Sequence, residues 1–420
     1  MPIAAALLGC VGGPACAQNT DGGLDLFSAD TFAVSADLRL AAANGEESWT
    51  GGDFGKLRFG GDGHQWNGRA SLAEAAIVWQ PKLSWSLSGT IVALVQDNDG
   101  LQPGLSEAYL SWKPLGGGKI KLSGRAGLMW PRISLEHVGP QWSVADTITP
   151  SAINSWIGEE VKVVGAEGSA SATLGEHRLT ATGALFDVDD TAGALLSFRG
   201  WALHDLKALV GRKMKLPELG EEIEYYQPRY SHPLKEMDGG FLNRVGGYAQ
   251  LAWQAPWRFR VELTHYDNNG DRTAANRFME WGWHTSFDHA GVMFEPREGT
   301  RFVGQAISGQ ALMGLKEGSE SWVDTRFRSA FALVSQQVGK ASLSGRIESF
   351  ATNSRGSYVG DEESERGWAA TFAGKRPFGA HSTGLIELLH VSSRRDARER
   401  EGLPARQSQT MLQAALRLHW

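Results

Sequence analysis

Apolar and polar residues alternate along most of this chain with a period of two. In LSWSLSGTIVALVQ, Leu83, Trp85, Leu87, Ile91, Ala93 and Val95 share one side, against Ser84, Ser86, Ser88, Thr90 and Gln96. KIKLSGRAGLMW sets Ile120, Leu122 and Ala126 against Lys121, Ser123 and Arg125. WRFRVELTHY sets Trp257, Phe259, Val261 and Leu263 against Arg258, Arg260 and Glu262. WVDTRFRSAFALVS sets Val323, Phe327, Phe331 and Leu333 against Asp324, Arg326 and Arg328. KASLSGRIESF sets Leu343 and Ile347 against Arg346 and Glu348. Successive strand side chains point to opposite faces, so a period of two predicts strands. No comparable run repeats every 3.6 residues.

The pattern predicts sixteen strands, near 31–42, 67–80, 83–96, 104–113, 119–130, 160–173, 177–188, 243–254, 257–267, 277–288, 300–312, 321–336, 339–351, 366–376, 382–393 and 407–420. Connections alternate in length. QPKL, LGGGK, LGEH, QAPW and QQVGK are short, whereas 43–66, 131–159, 189–242, 352–365 and 394–406 are long. Short turns at one end and long loops at the other mark a transmembrane barrel. The strands have the ~10 residues that cross an apolar layer at a tilt, longer than the ~5–6 of a soluble sandwich. The expected fold is therefore all-β, a closed up-and-down antiparallel transmembrane β-barrel in one domain over 31–420. The segment 194–215 would raise the count to eighteen if it supplied two more strands.

Composition agrees with this picture. Glycine (52) and tryptophan (16) are abundant, as many turns and interfacial aromatics require. The mean hydropathy of −0.27 and the 21% of charged residues argue against a bundle of membrane helices. The net charge of −6 gives no support to a nucleic-acid partner. Both cysteines, Cys10 and Cys16, fall in the opening segment MPIAAALLGCVGGPACAQ. It reads as a secretory signal over 1–17, cut after Ala17 and followed by a short lead over 18–30. The exported protein would then lack thiols.

The chain ends on MLQAALRLHW, where Leu412, Leu416, Leu418 and Trp420 lie on one side. This ending resembles the terminal assembly signal of Gram-negative outer-membrane barrels, with tryptophan in place of the usual phenylalanine. With the turn asymmetry and the expected signal, the chain resembles a 16-stranded porin of the general or anion-type kind. That resemblance implies a bacterial outer-membrane location, contact with the lipid bilayer and lipopolysaccharide, recognition by the barrel-assembly machinery, and a homotrimer as one possible assembly. It also implies that the third long loop, 131–159, folds into the barrel. That loop is sparsely charged and holds Ile133, Leu135, Trp142, Ile148, Ile153, Trp156 and Ile157, a surface better buried than left in water; the alternative to the inward fold is contact with a neighbouring protomer or lipopolysaccharide.

With the apolar face toward lipid, the other face lines a channel. The expected pore-lining residues are Arg125, Arg258, Arg260, Glu262, Asp324, Arg326, Arg328, Arg346 and Glu348. Basic positions outnumber acidic ones on that face, which favours anions in a narrow aqueous passage. The alternative is that these arginines pair with the acids across strands and brace the wall. The expected function is passive diffusion of small hydrophilic solutes with an anion preference. The alternative is a receptor, adhesin or structural barrel acting through its long loops. No enzyme, metal or cofactor is expected. DNDG at 97–100 reads as a turn, and no HExxH or GxSxG occurs.

Overall fold

The computed structural model describes residues 24–420 except 64, 115, 117, 188–190, 234–243, 277–278 and 319. The expected signal segment lies outside the described residues. Sixteen antiparallel strands, each paired with its neighbours in chain order, close into one barrel. They are β1 (Phe32–Ala43), β2 (Asn67–Trp79), β3 (Leu87–Asp97), β4 (Leu101–Trp112) and β5 (Ile120–Met129). Then come β6 (Val163–Leu174), β7 (His177–Asp187), β8 (Gly246–Ala255), β9 (Phe259–Asp267) and β10 (His284–Arg297). The last six are β11 (Thr300–Glu317), β12 (Glu320–Val338), β13 (Ala341–Ser354), β14 (Glu365–Pro377), β15 (Ser382–Arg395) and β16 (Arg406–His419).

Closure is made by the final strand. β16 pairs with β1 from Met411↔Ala43 to His419↔Ser35. Trp420 extends the ladder, donating to the Val34 carbonyl at 2.9 Å and accepting from the Val34 N–H at 3.0 Å. The outward residues of β16 are Leu412, Ala414, Leu416, Leu418 and Trp420, alternating with inward Gln413, Ala415 and Arg417. The same alternation gives β13 an outward Ile347, 68% exposed, beside an inward Arg346 at 2%. Leu251, Leu263, Phe372, Ile386 and Leu388 continue the outer apolar band around the wall. Trp85, Trp112, Trp253, Trp257 and Trp420 stand exposed near its short-turn end, where an indole keeps its ring in lipid and its N–H in water. A closed barrel with this exterior belongs in a bacterial outer membrane, its short turns periplasmic and its long loops outside.

Two expectations change, and one alternative closes. The strand expected at 277–288 runs from His284 to Arg297. Its apolar forerunner, Trp281 and Trp283, is buried under the loops, and the hairpin turns at Glu298–Gly299, where Gly299 has φ +78°. The segment 194–215 adds no barrel strand, so the count stays at sixteen. It carries the short helix α2 (Ala194–Phe198) inside the barrel. The face of β12 is inverted: Phe327, Phe331 and Leu333 point inward and are buried, while Arg326 and Arg328 are exposed on the outside.

The outward position of Ile347 predicts a depth-dependent cost. Ile347→Arg, near the middle of the apolar band, is expected to destabilise the barrel by ~2–4 kcal/mol, and Asn353→Arg, near the long-loop rim, by only ~0–1 kcal/mol. Urea unfolding in lipid vesicles measures both, and equal costs would contradict the assigned lipid face.

Candidate functional site: a lumen narrowed by its own loops

Loop 130–162 leaves β5 and turns into the barrel. Its helix α1 (Ala152–Glu160) starts at Ser151, whose hydroxyl accepts the Asn154 N–H at 3.3 Å and caps the first turn. Apolar Ile153, Trp156 and Ile157, spaced three and four apart, are buried. The inner wall carries matching side chains, so Trp156 packs on Phe287 (5.6 Å) and Phe327 (5.0 Å between ring centroids). This explains the inverted face of β12: the lumen beside it is dry.

Carboxylates pin the loop to the wall. Glu387 on β15 accepts the Ile148 N–H (2.6 Å), the Thr149 N–H (3.1 Å) and the Gln413 amide (2.8 Å). Glu348 on β13 accepts the Ala152 N–H at 2.7 Å and Arg346 Nε at 2.9 Å. Arg346 also donates to the carbonyls of Thr149 and Pro150, both at 2.9 Å, and to Glu136 at 3.0 Å. Every charge here is buried and has partners, as a charge removed from water requires.

Residues 191–209, between β7 and β8, lie on the first loop. Leu195, Leu196, Phe198, Trp201 and Leu203 are buried with α1 in one apolar cluster. Gly193, at φ +106°, begins α2 where a Cβ would sit 2.5 Å from that of Ala311. The two loops are also joined by charge. Arg199 makes a two-pronged contact with Glu159 (2.9 and 2.7 Å), and His204 meets the same carboxylate at 2.9 Å. Burial pushes the Glu159 carboxyl up, but Arg199 and His204 outweigh it and hold its pKa at about 2. Asp205 accepts from Arg39 of β1 (2.8 Å) and from Arg58 of loop 44–66 (2.6 Å). Burial opposes its ionisation, and the two guanidiniums overcome that and hold its pKa far below the usual range. Glu160 differs. It accepts N–H groups of Trp156 (2.8 Å), Gly193 (2.9 Å) and Leu195 (3.0 Å). Burial raises its pKa to about 7 despite those donors, and neighbouring Glu159 adds to the rise.

The expected pore residues separate into three groups. Arg125, Arg260, Glu262, Arg346 and Glu348 point inward. Arg125 pairs with Glu167 at 2.9 Å, and Arg260 with Glu262 at 2.9 Å. Arg346 and Glu348 hold the loop and are closed off from water. Asp324, Arg326 and Arg328 are corrected to the outer face. Alternation alone cannot tell a wet polar interior from a dry apolar interior with a polar rim outside. Arg258 is corrected to the hairpin turn before β9, where it has φ +55° and lies 3.7 Å from Glu295.

The residues that sequence reasoning missed are Glu136, Glu159, Asp205 and Glu387. A signal existed for the first two. An isolated carboxylate in an otherwise apolar loop must find donors once the loop is buried.

On the periplasmic side of the loops the lumen stays polar. Arg132 and Arg260 are 49% and 38% exposed there, while their partners Glu167 and Glu262 are buried. Arg301, Lys340 and Lys375 surround a cavity of about 340 Å³ together with Asp146 and Glu295. Arg301 pairs with Asp146 at 3.2 Å.

No protein-family model matches the chain, and no curated protein matches it. Solved structures do. The outer membrane channel DcaP of Acinetobacter baumannii superposes with a TM-score of 0.52 at 9% identity, over 94% of this chain and 99% of that one. The fold is that of the outer-membrane porins. An anion-selective porin from Comamonas acidovorans (TM-score 0.47, 12% identity, 93% and 99% covered) and the trimer form of OmpT from Vibrio cholerae (0.47, 8%, 93% and 99%) also align. At these identities the likeness concerns the fold alone.

Two predictions follow from the clamped loops. Arg346→Ala leaves Glu136 and Glu348 buried without their cation, which is expected to cost about 3–5 kcal/mol and to loosen loop 130–162. Limited proteolysis of folded protein, with cleavage mapped within 140–155, checks this. Glu160 gives a pH dependence. Its folded pKa lies above the unfolded value of ~4.5, so its contribution is full below ~4.5 and is lost as pH rises through about 7. The packing of the two loops is therefore expected to be tightest near pH 5 and loosest near pH 8. Glu160→Gln is expected to flatten the profile of tryptophan quenching by a small water-soluble quencher; an equally steep profile in that variant would remove Glu160 from the explanation.

Proposed function

We propose that this chain is a porin-like channel for passive diffusion of small hydrophilic solutes across the outer membrane, with a preference for anions. The observation that carries this reading is the unequal fate of the inner-wall charges. The wall and loop carboxylates Glu136, Glu348 and Glu387 are buried and occupied, whereas Asp146 and Glu295 share the cavity with the cations. The cations Arg132, Arg260, Arg301 and Lys375 reach the polar lumen on the periplasmic side. A wall with exposed cations in a low-dielectric frame concentrates anions and repels cations. Loop 130–162 and residues 191–209 narrow the passage above this vestibule and set the size limit. A diffusion role also explains why the buried carboxylates have structural partners instead of facing a substrate, so we assign no catalytic role to the barrel.

The filled outer half of the lumen favours a second reading, a barrel that conducts only when its loops move. Planar-bilayer recording separates the two. The expected result is small single-channel steps with a reversal potential on the anion side in a KCl gradient. Shortening 194–207 is expected to raise conductance by about threefold or more as the constriction widens. Cation selectivity would end the anion claim. Absence of current from both wild type and the shortened variant would end the channel claim.

A further inference from the structure

The tip of loop 130–162 is held by the wall in the way a bound peptide would be held. Three successive residues meet three cations from three strands. Arg417 of β16 donates to the Val144 carbonyl at 3.0 Å. Lys375 of β14 donates to the Ala145 carbonyl at 2.7 Å. Arg301 of β11 pairs with the Asp146 carboxylate at 3.2 Å. Arg301 also donates to the Leu135 carbonyl at 2.9 Å, and Arg417 to Asp37 at 3.0 Å, which fixes both guanidiniums from a second side. The three cations thus engage two main-chain carbonyls and one carboxylate, groups that any short acidic peptide carries.

The tip is also strained. Just before it, Gln141 and Trp142 have φ of +79° and +48°, a left-handed backbone that a Cβ disfavours. Release of residues 144–146 would let that backbone relax, which lowers the cost of displacing them.

Space for a replacement adjoins the tip. The cavity of about 340 Å³ is lined by Asp146, Arg301, Lys340 and Lys375. Arg301 Nε and Ser342 Oγ, of residues that line it, are buried without a hydrogen-bond partner. Such groups gain when a ligand oxygen reaches them. With Asp146 withdrawn, the three cations at the cavity face one carboxylate, Glu295, and the field favours a negative ligand.

We propose that Arg301, Lys375 and Arg417 form a binding site for short acidic peptides, which Val144, Ala145 and Asp146 occupy as an internal mimic until a peptide in the lumen displaces them. The site depends on the proposed channel only for how the peptide reaches it. The mimic makes the site selective. Acetate or a halide offers a charge without the two carbonyl acceptors, so it cannot replace all three contacts.

The test uses the full-length folded barrel in detergent micelles and titration calorimetry, which needs no ion flow. The probes are acetyl-Val-Ala-Asp-amide, acetyl-Val-Ala-Asn-amide and acetate. The aspartyl peptide is expected to bind wild type about tenfold or more tightly than the asparaginyl one, as a charge-assisted contact with Arg301 requires. Asp146→Asn frees Arg301 from the internal carboxylate and is expected to bind the aspartyl peptide about tenfold more tightly than wild type does. Adding Arg301→Gln and Lys375→Gln to Asp146→Asn is expected to remove the difference between the two peptides, with heat-modifiable gel mobility showing a folded barrel. Equal binding of the two peptides to wild type would overturn the proposal, and this arm decides the matter even if a variant fails to fold. Displacement of the peptide by an equal concentration of acetate would overturn the peptide in favour of a free-carboxylate site. Unchanged affinity in folded Asp146→Asn would overturn the tip as a mimic. A barrel that passes KCl current yet shows no peptide preference keeps the channel and loses this site; one that binds the peptide but passes no current keeps the site and loses the channel.

Discussion

The structure depends on one requirement, that no backbone amide facing hydrocarbon be left unpaired. An open sheet of sixteen strands would expose two edges, each lined with N–H and C=O groups that lipid cannot satisfy. Pairing of Met411–His419 with Ser35–Ala43 removes both edges at once. Chain order, the two-residue side-chain period and the short-turn/long-loop asymmetry then follow. A closed antiparallel wall needs an even number of strands when both ends of the sheet lie on one side. The outward apolar band from Leu251 to Leu416 follows from the same solvent.

The interior obeys a different rule. A barrel of this size leaves space, and loop 130–162 with residues 191–209 fills its outer half with an apolar cluster that contains Trp156, Phe198 and Trp201. Filling the lumen with chain brings loop backbone groups out of water. They are met by wall carboxylates: Glu387 for Ile148 and Thr149, Glu348 for Ala152, and Glu365 for the Trp201 N–H at 2.9 Å. Many inner-wall acids therefore act as hydrogen-bond acceptors for loops.

The fold was largely legible because its signal is local. Fifteen of the sixteen expected strands overlap the observed ones closely, since each depends on alternation and on turns such as Gly175 and Gly339, both with positive φ. β10 was misplaced because Trp281 and Trp283 supplied apolar residues that serve the loop packing instead. The site was less legible because its residues are joined across great chain separations. Arg346 meets Glu136, and Asp205 meets Arg39 and Arg58. No period encodes these meetings. Arg346 and Glu348 lie on the inner face but are closed off from water, and alternation failed at Arg326 and Arg328 because it assumed a wet lumen throughout.

Phe327 and Arg328 are adjacent, and each occupies the environment that a uniform channel would assign to the other. Such an inversion is stable only if both sides change solvent near the same height: the lumen becomes dry where the loops enter, and the exterior becomes polar where the bilayer core ends. Below that height, Val334 faces out as lipid requires and Ser335 faces in. The strand therefore records both boundaries, and the depth at which its apolar residues turn inward marks where the loops meet the wall.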